Sequence, residues 1–260
     1  MKIVVCVKYV PDAQADRTFQ ADNTTDRTSV DGLLSELDEY AVEEALKIVE
    51  AADGEVVALT MGPEQASDAV RKALQMGAGS GVHVLDDAIA GSDAPATSLV
   101  LAKAIEKIGG ADLVLTGMAS TDGTMSVVPA MLAERLGLPQ VTYASELTVD
   151  GQQVTIRRDG DVASETIVAT LPALVSVTDQ INEPRYPSFK GIMAAKKKPV
   201  ETWSLADLGV TADQVGLSSS WSVVERTEPR PPRSAGEIVP DEGGNGAKAL
   251  VDFLAAKRFI

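Results

Sequence analysis

The sequence carries one cysteine and one histidine in 260 residues. A single thiol excludes a disulfide framework. One Cys and one His also exclude a Cys/His metal site drawn from this chain alone. A catalytic centre that relied on imidazole would have to use His83. Aromatic residues are scarce, at 4%, so Val, Leu, Ile and Ala must fill the core, and 45% hydrophobic residues suffice for that. Basic residues are outnumbered, 23 Lys and Arg against 38 Asp and Glu, which gives a net charge of -15. Such a chain is a poor nucleic-acid binder unless its cations cluster. No apolar run approaches the ~20 residues that span a bilayer. The N-terminal MKIVVCVKYVPD lacks the apolar region and cleavage site of a signal peptide, so a cytoplasmic location is expected. No G-x-G-x-x-G follows a strand, and no G-x-x-x-x-G-K-S/T occurs, which excludes a standard Rossmann dehydrogenase and a P-loop enzyme.

What is present is an alternation. Residues 2–8 (KIVVCVK) read as a buried strand. A polar stretch from Asp12 to about Asp31 has no apolar face and is long for a loop, which suggests function or mobility. A helix follows, with Ser35 as N-cap and Asp38 three residues on, in capping-box spacing. Strands are expected at 55–61, 82–85 and 112–116, and helices at 64–76, 94–108 and about 126–136. Residues 1–140 therefore predict a mostly parallel, doubly wound α/β sheet, Rossmann-like but without the glycine fingerprint. From about 140 the runs VTYASELTV, QVTIRR, ETIVATL and ALVSV predict antiparallel strands added to that sheet. Residues 179–204 read as irregular. The chain from 205 changes character, with SSSWS, EPRPPR and DEGGNG, and cannot supply much core. The expected division is an α/β domain over 1–204 and an extended C-terminal arm over 205–260, closed by an amphipathic segment from Ala247 to Phe259. Trp203, Trp221, Leu250, Phe253, Leu254 and Ile260 are costly to leave in water, which suggests that the arm lies on a partner.

Ligands of open α/β sheets sit beyond the carboxyl ends of the strands, at the switch point. Four segments have that position: Cys6 to Asp12, the chain before Ser35, the turn Thr60-Met61-Gly62, and 117–128 (GMASTDGTMSVV). The last leaves a buried strand, is rich in Ser and Thr, and runs into a helix N-terminus, where backbone N–H groups can hold phosphate oxygens. Cys6, among valines, reads as a buried inert thiol, and His83 as a structural residue. Glu43 and Glu44 read as solvated, and nothing resembles a catalytic carboxylate pair. The residues point to binding without bond-breaking. A further segment, 181–201, sets Phe189, Ile192 and Met193 among Lys190, Lys196, Lys197 and Lys198, an apolar knob ringed by cations that suits protein docking.

These residues resemble the β subunit of electron-transfer flavoprotein along nearly the whole chain. The matching blocks are VKYVPD (7–12), DEYAVEEAL (38–46), MGP (61–63), AL-x-MGA (73–78), DLVLTG (112–117), PAMLAERLGLPQVTYAS (129–145) and LPALVSVT (171–178). NEPRYPSFKGIMAAKKK (182–198) is the most specific. The resemblance implies an electron-carrier subunit with no catalytic residue of its own. It would pair with an α subunit, with one FAD at the interface held mainly by α, and bind AMP itself. Electrons would come from acyl-CoA dehydrogenases and related flavoenzymes and pass to a membrane quinone oxidoreductase. It places AMP against Cys6; Ser35, Glu36, Leu37 and Asp38; Met61; and Gly117, Met118, Ala119, Ser120, Thr121, Asp122, Gly123, Thr124, Met125, Ser126, Val127 and Val128. It makes the 182–198 segment a recognition loop whose anchor, usually Leu, is Phe189. Two departures stand out: Ser35 where Asn is common, and Met118-Ala119 where a Lys-Gln or Arg-Gln pair is usual. Some relatives hold a second FAD in place of AMP and split electron pairs, and that alternative stays open. So does a stand-alone adenine-nucleotide sensor, which would need neither the tail nor the basic loop.

Overall fold

The computed structural model describes residues 1–232, 236, 238–241 and 243–260. They fall into two compact units, Met1–Thr227 and Glu228–Ile260. In chain order the first unit contains β1 (Lys2–Cys6), β2 (Tyr9–Pro11), β3 (Gly32–Leu34), α1 (Glu36–Ala51), β4 (Glu55–Met61), α2 (Ser67–Met76), β5 (Ser80–Val84), α3 (Ala94–Ile108), β6 (Leu113–Gly117) and α4 (Val128–Leu136). It continues with β7 (Gln140–Asp150), β8 (Gln153–Asp159), β9 (Ser164–Thr170), β10 (Ala173–Val177), α5 (Phe189–Ala195) and β11 (Val200–Trp203). Among the described residues the second unit holds one helix, α6 (Gly246–Ala256), whose Leu250, Val251 and Phe253 are exposed.

Nine strands form one sheet in the order β11-β5-β4-β1-β6-β10-β7-β8-β9. The chain moves outward from β1 in one direction, through β4 and β5, then crosses back to β6 on its other side. The switch point therefore lies at β1. Successive side chains of β1 serve opposite faces: Ile3 and Val5 join a core with α1 and α2, and Val4 joins a core with α3 and α4. Burial on both faces explains why the parallel strands read as unbroken apolar runs. Helix ends follow local chemistry. The Asp93 carboxylate accepts from Ala96 N at the start of α3. Gly137, at φ 64, closes α4 in the left-handed conformation that favours glycine.

The doubly wound sheet is as expected from the sequence. β8 pairs with β7 and β9 with β8 in antiparallel fashion, but β7, the run VTYASELTV, joins β10 in parallel, against expectation. Four further local expectations need correction. The run ALVSV is not an antiparallel addition: β10 inserts between β6 and β7 and is parallel to both, with every residue buried. A short run buried on both faces carries no mark of strand direction. The 179–204 segment is not wholly irregular, since α5 packs against α2 and β11 pairs in parallel with β5 at the sheet edge. The division at 204 also moves. Trp203, Leu205, Leu208, Val210 and Val215 are buried in the α3 core, and the first unit runs on to Thr227. These apolar residues are spaced by short 3-10 turns, so no helical or strand period announced them. Finally, Ser35 makes no side-chain cap, and Asp38 forms no capping box.

Candidate functional site

Asp38 instead reaches across the carboxyl edge of the sheet. Its Oδ2 accepts from Lys8 N at 2.8 Å, and its carboxylate also accepts from Gly117 N. The start of α1 is thereby joined to the ends of β1 and β6, the two strands that flank the switch point. Ser35 N donates back to Lys8 O at 2.8 Å. The fit depends on Gly117: a Cβ there would lie 2.6 Å from Asp38 Oδ1 and 2.8 Å from Leu37 O. Cys6 is close enough to feel Asp38, and burial together with that charge pushes its thiol up to about 12, so it stays protonated and inert. Burial raises Asp38 to about 7, against the pull of the Lys8 and Gly117 amides and the Lys8 charge. Met61 ends β4, the neighbour of β1. The structure thus brings Cys6, Ser35 to Asp38 and Gly117 to one place, with Met61 one strand away.

The loop from Met118 to Val127 is built around Asp122, whose side chain is 2% exposed. Lys8 Nζ lies 2.9 Å from its Oδ1, and Arg27 Nη2 lies 2.7 Å from its Oδ2. Gly123 N donates to Oδ1 at 2.7 Å. Burial works against the charged form, but the two cations outweigh it and hold the carboxyl far below its ordinary range. Lys8 also reaches Ser120 Oγ at 3.4 Å, and Arg17 Nη1 reaches Asp122 O at 3.5 Å. Beyond Asp122 the backbone turns left-handed twice, at Thr124 (φ 51) and Ser126 (φ 58). Left-handed residues alternating with right-handed ones turn successive N–H groups toward one point, a concavity suited to an anion. Val127 and Val128 then lead into α4, whose N-terminus adds its dipole.

Buried hydroxyls along this edge lack partners: Ser35 Oγ, Thr60 Oγ1, Thr116 Oγ1 and Thr121 Oγ1. Buried polar atoms are normally bonded, so four orphans at the strand ends fit a bound polar ligand such as an adenine nucleotide. Sequence reading placed the segments holding Lys8 and Thr60 at this edge but missed Arg17, Arg27 and Thr116. The two arginines lie in the long polar loop, and only the fold returns that loop to the edge.

At the other candidate surface, Phe189 stands 81% exposed at the start of α5, with Tyr186 93% exposed just before it. Ile192 and Met193 are exposed beside them, as are Lys190, Lys196 and Lys197. Lys198 is not a free surface cation, because its Nζ donates to Leu74 O at 2.9 Å and partial burial lowers its pKa. The segment leading to Phe189 is fixed to α1. Arg185 Nε and Nη2 contact Glu43 at 2.7 and 3.0 Å, and Arg185 Nη2 also contacts Glu50 at 3.0 Å. Asn182 Nδ2 contacts Tyr40 O and Glu44 Oε2, both at 3.0 Å. Glu43 and Glu44 are therefore buried, at 6% and 4% exposure, not solvated as their sequence suggests. The 182–185 segment covers them, and helical position alone did not reveal that cover. His83 is buried as a structural residue, its Nε2 3.1 Å from Gly62 O.

The electron transfer flavoprotein domain model matches residues 22–208. The chain is 48% identical, over 99% of both chains, to the electron transfer flavoprotein subunit beta of Mycobacterium tuberculosis, and equally so to that of Mycobacterium leprae. The chain belongs to the electron-transfer flavoprotein β-subunit family. It is also 36% identical, over the full length of both chains, to a protein of Acetobacterium woodii named caffeyl-CoA reductase-Etf complex subunit CarD. Among the described residues no helix is long and apolar enough to cross a membrane, and no group of three or more His, Cys, Asp or Glu could hold a metal ion.

Proposed function

We propose that this chain is the β half of a heterodimeric electron carrier and binds AMP at the switch-point edge. The observation that carries the reading is the coincidence of the left-handed turn at Thr124 and Ser126 with the four unpartnered hydroxyls. Backbone N–H groups of 123–128 would hold the phosphate. Ser35, Thr60, Thr116 and Thr121 would take polar atoms of the nucleoside. AMP so placed is structural, bridging the ends of β1, β4 and β6 to α1 and α4.

FAD would lie at the interface with the α subunit and supply the electron-carrying chemistry. This chain's share is to bind, position and recognise. Phe189, with Ile192 and Met193, would anchor donor dehydrogenases of the acyl-CoA class, and Lys190, Lys196 and Lys197 would speed encounter with acidic partners. A membrane quinone oxidoreductase would accept the electrons. The arm beyond Thr227 would lie on the α subunit, because its apolar residues have too little core of their own.

A second reading replaces AMP with a second FAD and makes the complex electron-bifurcating. The full-length similarity to the Acetobacterium woodii reductase-complex subunit favours it. Acid extraction of the copurified heterodimer separates the two: one FAD and one AMP per dimer supports the first reading, and two FAD with no AMP supports the second. For docking, Phe189→Ala should slow reduction of the FAD by an acyl-CoA dehydrogenase while leaving flavin content and melting temperature unchanged. A variant that melts earlier and accepts electrons at the wild-type rate would refute the anchor.

A further inference from the structure

Lys8 and Arg27 converge on one buried carboxylate from different parts of the chain. Lys8 follows β1, and Arg27 lies in the long loop between β2 and β3. That loop carries five Asp and two Arg between Asp12 and Asp31, and both arginines reach Asp122. Its acidic residues are partly spent locally: Asp22 binds Thr24, and Asp26 binds Thr28 and Ser29. Against Lys8, Arg17 and Arg27 stand two buried carboxyls: Asp122, which is ionised, and Asp38, which feels the Lys8 charge but which burial raises to about 7. The two oxygens of Asp122 are already engaged by Lys8, Gly123 and Arg27.

The cations keep unused capacity. Of three ammonium donors, Lys8 places two, on Asp122 and Ser120. Of five guanidinium donors, Arg27 places two, on Asp122 and Tyr9 O. Their side chains remain 42% and 34% exposed. The carboxylate that both cations engage lies two residues before Thr124, the first left-handed residue of the turn. A purely structural latch would need one cation for one carboxylate. A surplus of cations, in a chain of net charge -15, suits a further anion.

We propose that Lys8 and Arg27 are the specificity-determining side chains for a phosphorylated nucleoside. They select it over the unphosphorylated one, with Asp122 as the counter-ion that holds both in place. The proposal rests on the nucleotide reading above and adds side-chain charge to a phosphate site otherwise made of backbone N–H groups. Phosphate selection then belongs to the loop that closes from β2 to β3 as much as to the loop before α4.

The test uses the full chain in complex with its α subunit, freed of bound nucleotide by gel filtration in high salt and titrated with AMP and with adenosine. The wild type should prefer AMP, and the preference should shrink as salt rises while adenosine binding stays constant. Arg27→Gln and Lys8→Met should each reduce the AMP-to-adenosine preference by about tenfold or more, as expected for a lost charge-assisted bond, with adenosine affinity unchanged. Arg27→Lys should retain most of the preference. Asp122→Asn should melt earlier yet still prefer AMP, because both cations remain. If Arg27→Gln and Lys8→Met keep a wild-type preference, or lose AMP and adenosine equally, the assignment is overturned and the nucleotide reading survives. If the wild-type complex binds neither ligand, the nucleotide reading falls and the assignment with it.

Discussion

The backbone N–H of Lys8 donates to Asp38 Oδ2 across 2.8 Å, tying the end of β1 to the first turn of α1. Asp38 is the third residue of α1, where a carboxylate would ordinarily turn back to its own N-cap. Here it serves the strand ends. The switch-point edge therefore inherits its geometry from a helix start, and several consequences can be measured.

Asp38 gives the fold a pH dependence of defined sign. Burial raises its carboxyl from an ordinary 3.8 to about 7 in the folded chain. Between those values the folded chain holds a proton that the unfolded chain has released. Stability from this group therefore falls as pH rises through the window, by up to about 1.4 kcal/mol per pH unit. Asp122 acts in the opposite sense and lower: its carboxyl is depressed by Lys8 and Arg27, so its contribution is present above 3.8 and lost as pH drops below. Melting temperatures from pH 5 to pH 7 should decline more steeply for the wild type than for Asp38→Asn. Parallel profiles would contradict the assignment.

Gly117 should be the least replaceable glycine of the edge. An added Cβ would press on Leu37 O, a backbone atom, at 2.8 Å. Gly117→Ala should lower both melting temperature and copurified nucleotide. At Gly123 the nearest atom to an added Cβ is the movable Ser120 Oγ at 3.3 Å, so Gly123→Ala should be mild. The nucleotide-to-protein ratio of the two purified variants orders them, and the reverse order would be fatal to this account.

Arg185 neutralises a carboxylate that the fold has buried. Arg185→Gln leaves Glu43 covered and uncompensated. Loss of roughly 2–3 kcal/mol is expected, below the usual cost of breaking a buried pair because the arginine side chain is one-third exposed. Adding Glu43→Gln should recover much of that loss. Urea unfolding of both single variants and the double variant measures it, and simple additivity would show that the pair is not coupled.

Truncation should separate core from arm. A chain ending at Thr227 keeps Leu205, Leu208, Val210 and Val215 on the α3 core and should melt near the wild-type temperature, while losing its α subunit if the arm lies there. A chain ending at Ser204 uncovers that core and should fold poorly. Circular dichroism melts and copurification with the α subunit read the two effects independently. Equal melting temperatures for both truncations would refute the boundary drawn here.

Hydrophobic periodicity along the chain fixes the alternating architecture, because amphipathic helices and unbroken apolar strands leave a doubly wound sheet as the natural packing of residues 1–140. It also fixes the sheet-edge location of Cys6, Ser35 to Asp38 and Gly117 to Val128, since the first approach to a helix from each parallel strand lies at the same edge. Tertiary structure decided everything that depends on side chains meeting from distant parts of the chain. Local spacing cast Asp38 as a capping partner, and the fold turned it to Lys8 and Gly117. The pair Glu43-Glu44 looked solvated until Asn182 and Arg185, about 140 residues later, covered it. The run ALVSV has no direction in its composition, and only its place between β6 and β7 made it parallel. Lys8, Arg27 and Asp122 are scattered along 115 residues, and no periodicity links them. Local sequence sets backbone preference and the face to be buried, whereas charge complementarity acts through space, and its partners become neighbours only once the sheet has formed.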